Sequence, residues 1–265
     1  MINVVTIGQF VPGDSLLHRL DPRTKIICVI ATAIAVFVVV KWYEFVLLSG
    51  FVFLSMILTG IPARLFLKGL FSIWLLLVVT FLLQALLTPG EVLFGLGFLK
   101  VTREGLMGGG QIFVRLALLI LIAFLLTLTT SPVNLTAGLE SILAPLKRVG
   151  VPTHELAMMM TIALRFVPTL LNEADKVTKA QRSRGAGFSS GGTMSRVKGL
   201  LPLFVPLIAG ALRSAEELAV AMESRCYRGG ANRTRMKSMA LGVPDYVTMS
   251  ITFAVLALSV WLRYT

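Results

Sequence analysis

Five apolar runs, each long enough or nearly long enough to cross a bilayer, constrain this chain more than any other feature. A helix needs about 20 apolar residues to span roughly 30 Å of hydrocarbon. The runs cover 26–40, 45–59, 70–87, 112–130 and 243–262. The first two are short, so they are expected to recruit flanking residues or to thin the bilayer locally. Trp42 and Tyr43 stand between them, and Trp261 and Tyr264 close the last run. Those positions suit the interface, where an aromatic ring can be half wet. The expected fold is all-α: a polytopic membrane protein with about five transmembrane helices and long cytoplasmic helices between the fourth and fifth spans.

Composition agrees. The 265 residues are 56% apolar and 14% charged, with a mean hydropathy of +0.85, whereas soluble domains carry about 25% charge. A larger core does not explain that shift, because solvent-facing helix surfaces still need polar side chains. The formal net charge of +12 would suggest nucleic acid in a soluble protein, but here its location decides its meaning, and no nucleic acid is expected. Cys28 and Cys226 lack metal-ligand spacing and are not expected to pair, and His18 and His154 form no cluster. No catalytic set, metal site or directly bound cofactor is therefore expected. The N-terminus does not read as a cleavable signal peptide, since its first long apolar run begins only at Ile26 with no small-residue cleavage site after it.

Charge placement gives the orientation. Arg19, Arg23 and Lys25 precede the first span, Arg64 and Lys68 lie between the second and third, and fifteen Lys and Arg lie in 131–242. The other side holds Lys41, Lys100, Arg103, Arg115 and Arg263. That is twenty against five, so the positive-inside rule puts the N-terminus in the cytoplasm and the C-terminus outside. The expected organisation is a four-span membrane region over 1–130, a cytoplasmic region over 131–242 and a final span within 243–265. The expected location is a prokaryotic inner (plasma) membrane.

The region 131–242 is too long for a simple loop. Gly150, Val151 and Pro152 read as a helix stop and a fresh start, with Glu155 favourable to the new N-terminus. A helical pattern follows from about 153 to 184, with a kink expected at Pro168. Glycines and serines over 185–192 read as a loop. A second pattern runs from about 194 to 227, with interruptions expected near Pro202 and Pro206. Both are too amphipathic to span as a whole and too apolar to float free, so they are expected to lie across the cytoplasmic side.

Both patterns end alike. The first closes with Ser183, Arg184 and Gly185, the second with Ser224, Arg225 and Cys226. An arginine there sits at the negative end of the helix dipole and projects from an exposed tip. On spacing alone two readings stand: the arginines cap their helices or meet anionic lipid, or they dock a partner.

The segment from Asp14 to Lys25, D-S-L-L-H-R-L-D-P-R-T-K, resembles the N-terminal signature of the T components of energy-coupling factor (ECF) transporters. The stretch from Ser131-Pro132 through Gly150-Val151-Pro152 to Leu164-Arg165-Phe166-Val167-Pro168 is similar to the region leading into that family's coupling helices. The endings S-R-G and S-R-C-Y-R-G resemble its paired short Arg motifs, usually A-R-G or A-R-S. This chain departs in having Ser at 183 and 224 and Cys at 226. The resemblance covers nearly the whole chain. It implies a non-catalytic subunit of an ABC-type importer that joins two cytoplasmic ATPases, which use ATP and Mg, to a membrane-embedded, substrate-binding S component for vitamin or other micronutrient uptake. It assigns Arg184 and Arg225 to the two ATPases, with Ser183, Gly185, Ser224 and Cys226 permitting close approach. Guanidinium suits that role, being always charged and able to reach carboxylates or carbonyls bidentately.

Other features read more plainly. Gly108-Gly109-Gly110 is expected to be a loop or helix lead-in, and no G-x-x-x-x-G-K-[ST] occurs, so no Walker-type hydrolysis is expected of this chain. Met158-Met159-Met160 suits core packing, or, as a minority reading, an adaptable binding surface. Glu140, Asp175 and Glu223 read as solvated or paired, and Arg115 as snorkelling to the outer interface. A self-sufficient secondary transporter or channel is the alternative, but it would predict mid-span polar residues and often two similar halves. A lipid-modifying enzyme would need a convergent acid/base or metal set, which the sequence lacks.

Overall fold

The computed structural model describes residues 10–96, 99–184, 193–227, 229 and 240–264. They divide into two compact units, 1–142 with 237–265, and 143–236. The first unit holds α1 (Leu16–Arg19), α2 (Pro22–Val38), α3 (Trp42–Thr59), α4 (Ala63–Ser72), α5 (Trp74–Leu87), β1 (Val92–Leu96), β2 (Leu99–Thr102), α6 (Arg103–Thr129) and most of α7 (Pro132–Leu143). The second holds a 3-10 turn (Ala144–Val149), α8 (Thr153–Ser183) and α9 (Thr193–Ser224), and the chain returns to the first unit as α10 (Val243–Tyr264). By length and apolarity, α3, α6, α8 and α10 can each cross a membrane, and the pair α4 and α5 makes a fifth candidate if counted as one bent span.

Two elements differ from expectation here: α2, from the first apolar run, is 17 residues long and is not among these candidates, whereas α8, expected to lie across the cytoplasmic side, is. Both α2 and α3 begin before their apolar runs. α2 starts at Pro22, which suits the first helical position, with the Asp21 carboxylate accepting from the Arg23 N–H at 2.9 Å. α3 starts at Trp42, where Glu44 accepts from the N–H groups of Val40 and Lys41 at 3.0 and 3.3 Å. Their meeting faces make the core: Ala35 and Val36 of α2, with Val39 just after it, against Phe45, Leu48 and Val52 of α3 and Leu118 and Ile122 of α6.

The third span departs from expectation. It begins at Ala63, earlier than the apolar run at 70, and bends by 57° at Ile73 between α4 and α5. The break itself carries neither proline nor glycine. Four residues earlier, Gly69 lies so close to the Phe124 ring of α6 that an added Cβ would overlap it, and Phe66 on the same face is buried. α4 is thereby seated on α6 just before the bend.

Two further differences sit next to each other. A hairpin not expected from the sequence joins α5 to α6, with Val92 opposite Thr102 and Leu96 opposite Leu99. The glycine triplet 108–110 is neither loop nor lead-in but lies inside α6, which extends back to Arg103. A Cβ at Gly105 would stand 2.8 Å from the Ala85 carbonyl oxygen, and one at Gly109 would stand 3.1 Å from that of Phe81. These glycines let α5 approach the α6 backbone, which is how small residues pack membrane helices. Thr102 starts α6, its Oγ1 accepting from the Gly105 N–H at 3.1 Å and donating to the Thr88 carbonyl at 2.7 Å.

Arg115 is tied to the end of α2. Its Nη2 donates to the Val39 carbonyl at 2.6 Å, and its guanidinium lies 5.7 Å from the Phe45 ring centroid. Gln111 donates to Val40 at 2.9 Å and Arg263 to Val38 at 3.3 Å. The last carbonyls of a helix have no internal partner and carry the negative end of its dipole. Two arginines and an amide from α6 and α10 supply those partners at the end of α2.

Candidate functional site

The N-terminal signature fastens helix ends together. His18 accepts from the Ser15 hydroxyl at 2.6 Å through Nδ1 and donates to the Val11 carbonyl at 3.1 Å through Nε2. The Lys25 ammonium, buried, donates to the carbonyls of His18 at 3.1 Å and Thr129 at 2.9 Å. Asp245 is also buried: its Oδ1 accepts from the Asp21 N–H and its Oδ2 from the Gly242 N–H, both at 2.8 Å. An acid in the first turn that reaches back to the residue before its helix is a capping arrangement. Here the same carboxylate also holds the start of α2, 224 residues away in sequence. The signature therefore closes one end of the first unit, and nothing in its spacing pointed to Asp245 as the partner.

In the second unit α8 and α9 run antiparallel. Gln181 of α8 donates through Nε2 to the Pro202 carbonyl of α9 at 3.2 Å, and Glu173 of α8 lies against Gly210, where a Cβ would overlap the carboxylate. Eight residues up one helix thus match eight residues down the other. The Gln181 bond has a specific cause. Pro206 lacks the N–H that would bond to the carbonyl four residues back, and that carbonyl is Pro202. Gln181 fills the vacancy from the neighbouring helix. Both α8 and α9 continue as helices through their prolines at 168, 202 and 206, where the sequence suggested a kink and interruptions.

The register sends the two arginine tips out of opposite ends of the pair. Extrapolated along the helix, Arg184 stands beside about residue 199 of α9, so at 1.5 Å per residue some ~40 Å of α9 separates it from Arg225. The tips share a construction. Ser183 and Ser224 close their helices, with Oγ donating back to the Lys179 carbonyl at 3.2 Å and the Ala221 carbonyl at 3.0 Å. Arg184 and Arg225 follow in the cap position, and both are exposed. Gly185 lies outside the described residues. At the second tip Cys226 holds φ +56°, its N–H donating to Glu223 at 2.8 Å, while the Tyr227 N–H donates to Met222 at 3.0 Å. That pair of bonds is the Schellman ending, whose left-handed position usually carries glycine. Cys226 stands where the first tip has Gly185. The tips are thus not brought together into one site.

The flanks of the pair are apolar and uncovered. Among the described residues of this unit only Thr153 and Ala157 are buried, while Leu156, Met159, Met160, Phe204, Val205, Ile208 and Leu212 are exposed. Met159 and Met160 are therefore not core residues of this chain. The C-terminal part of α8 carries Glu173, Asp175, Lys176, Lys179 and Arg182 within ten residues, with Asp175 and Lys179 paired at 2.7 Å. Among the described residues, no group of three or more His, Cys, Asp or Glu could hold a metal ion.

Residues 13–236 match the family model CbiQ, described as cobalt transport protein. The chain is 47% identical to the energy-coupling factor transporter transmembrane protein EcfT of Acidaminococcus fermentans over 264 residues, covering 100% of this chain and 98% of that protein. It is 49% identical to EcfT of Thermosediminibacter oceani over 248 residues, 94% of each chain. It is 45% identical to EcfT of Listeria innocua over 265 residues, 99% of this chain and 100% of that one. With a family match over most of its length and full-length relatives at this identity, the chain belongs to the CbiQ/EcfT family, as the multi-pass, non-catalytic transmembrane T component of an energy-coupling factor transporter.

Proposed function

We propose that this subunit transmits the motion of two cytoplasmic ABC-type ATPases to a membrane-embedded S component that binds a vitamin or other micronutrient. The observation that carries the reading is the pair of Ser-Arg tips leaving opposite ends of one braced antiparallel helix pair. Two like tips about 40 Å apart along a helix suit two like partners, and closure of those partners would act on both ends of one lever. Arg184 and Arg225 enter the ATPases, and Ser183, Gly185, Ser224 and Cys226 keep the approach close. ATP and Mg are used by the partners. The exposed apolar flanks around Met159, Met160, Phe204 and Ile208 suit a hydrophobic S component, and methionine surfaces repack readily.

The division of labour runs along the chain: 1–130 anchors, 131–242 couples, and 243–265 returns to the membrane. The charge distribution puts the N-terminus and the coupling region in the cytoplasm and the C-terminus outside. The dense charges over 173–182 keep that part of α8 out of hydrocarbon.

Co-purifying the tagged chain from its native membrane tests the reading. The expected partners are two ATPases and one small membrane protein, and the chain stripped of them hydrolyses no ATP and binds no solute. Saturable hydrolysis or uptake by the chain alone would overturn it. A reporter fused after residue 190 is expected to read cytoplasmic and one at the C-terminus external; a cytoplasmic C-terminus would overturn the orientation.

A further inference from the structure

The short helix α4 has two faces with different destinations. Its inner face is committed within the unit through Phe66 and through Gly69 against Phe124. Its outer face carries Arg64, Leu67, Lys68 and Phe71, all exposed. Immediately beyond, the chain bends by 57°, and the rings of Phe71 and Trp74 stack at 6.1 Å with 19° between their planes. An open groove of about 530 Å³ lies along this corner, bounded by α4, the start of α5 and Phe113 of α6. Its walls are apolar except for Arg64 and Lys68, which are one helical turn apart and so neighbours on the surface. Among the described residues no acidic one lines it, and neither cation has a hydrogen-bond or ion-pair partner.

We infer that this groove holds an anionic phospholipid, its phosphate against Arg64 and Lys68 and an acyl chain along Leu67, Phe71 and Trp74. Charge complementarity selects the occupant. In a multi-pass membrane protein the medium around Phe71, 71% exposed, is lipid. Tryptophan favours the headgroup level, which puts the two cations at the depth of the phosphates. Basic pockets beside membrane helices attract anionic headgroups, whereas a zwitterionic lipid brings a compensating cation of its own. The unpaired arginine and lysine, the stacked aromatic floor and the bend are then parts of one site. This inference rests on membrane location and is independent of the coupling reading.

The experiment uses the full chain in bilayer nanodiscs. Of its three tryptophans, Trp42→Phe and Trp261→Phe leave Trp74 as the reporter. Phosphatidylglycerol or phosphatidylcholine with brominated tails is titrated into a phosphatidylcholine bilayer, and quenching of Trp74 gives the relative affinity. Each cation is expected to contribute roughly fivefold, so phosphatidylglycerol should be preferred at least about fivefold. Arg64→Gln with Lys68→Gln should bring the ratio close to one. Equal quenching by the two lipids in the parent overturns the proposal without need of any variant. A preference that survives the double substitution also overturns it, because the attraction would then belong to the basic surface at large.

Discussion

The two units solve the problem of polar groups in opposite ways. In the first, helix ends are closed by side chains from elsewhere in the same unit: Asp245 on Asp21, Lys25 on Thr129, Arg115 on Val39. In the second, two long helices share the Gln181 bond and leave both tips and much apolar flank uncovered. The first unit is finished by its own chain, and the second is built to be finished by others. A coupling device needs that asymmetry, since a lever must be held at one region and free to engage at another.

Substitutions at three positions sharpen or break the contrast. The largest expected effect is in the first unit. Asp245→Ala removes the acceptor for the buried Asp21 N–H and the part-buried Gly242 N–H; a buried donor left unpaired costs about 1–3 kcal/mol and a part-buried one less, so a loss of about 2–4 kcal/mol is expected in thermal unfolding of the purified chain. Asp245→Asn keeps one acceptor and should fall between. A loss no larger than that of an exposed substitution would mean the first unit is not held by its helix ends. Gln181→Leu, in the second unit, should cost no more than about 1 kcal/mol, because the bond is exposed. Its larger consequence is in transport: the two helices lose their brace, so ATP hydrolysed per solute imported should rise. An unchanged ratio would remove Gln181 from the mechanism.

The smallest effect is at the second tip. A left-handed conformation costs a residue with a Cβ roughly 1–2 kcal/mol, and glycine escapes most of that while losing more chain entropy on folding. Cys226→Gly should therefore stabilise the subunit by up to about 1 kcal/mol without loss of uptake. Cys226→Val should destabilise, because a branched side chain tolerates positive φ worst. Stabilisation by valine would contradict the Schellman ending.

The sequence was most legible where one local rule sufficed. Helices α3, α6 and α10 cover the apolar runs at 45–59, 112–130 and 243–262 to within a few residues of their C-terminal ends, and α8 ends at Ser183, just before the glycines and serines of 185–192. It was least legible where tertiary contact decides. The bend at Ile73 has no local signal, and the contact nearest to it, Gly69 against Phe124, joins residues 55 apart in sequence. The glycines at 108–110 looked like a loop because glycine usually marks one, but a membrane helix uses glycine for close approach. That Arg115 would meet Val39 was not legible, because the acceptor lies at the end of another helix. At the tips, the Ser-Arg pattern was readable; that Cys226 takes the position glycine would hold was not.

The central claim is that Arg184 and Arg225 are the points where ATP-driven motion enters this subunit. It is tested most directly by ATP-dependent uptake, measured with the whole transporter reconstituted in vesicles and alongside its hydrolysis. Losing an interface guanidinium leaves its partner acceptors unpaired, at a typical cost of about 2–5 kcal/mol. Arg184→Ala or Arg225→Ala should therefore reduce uptake severely while the chain still inserts, and the double change should release the ATPases or leave them hydrolysing without transport. Lysine should rescue poorly, lacking the planar fork. Arg233→Ala and Arg235→Ala should leave uptake close to that of the parent. If all four arginines behaved alike, the basic region would be a diffuse charged surface, and the coupling role of the two tips would be contradicted.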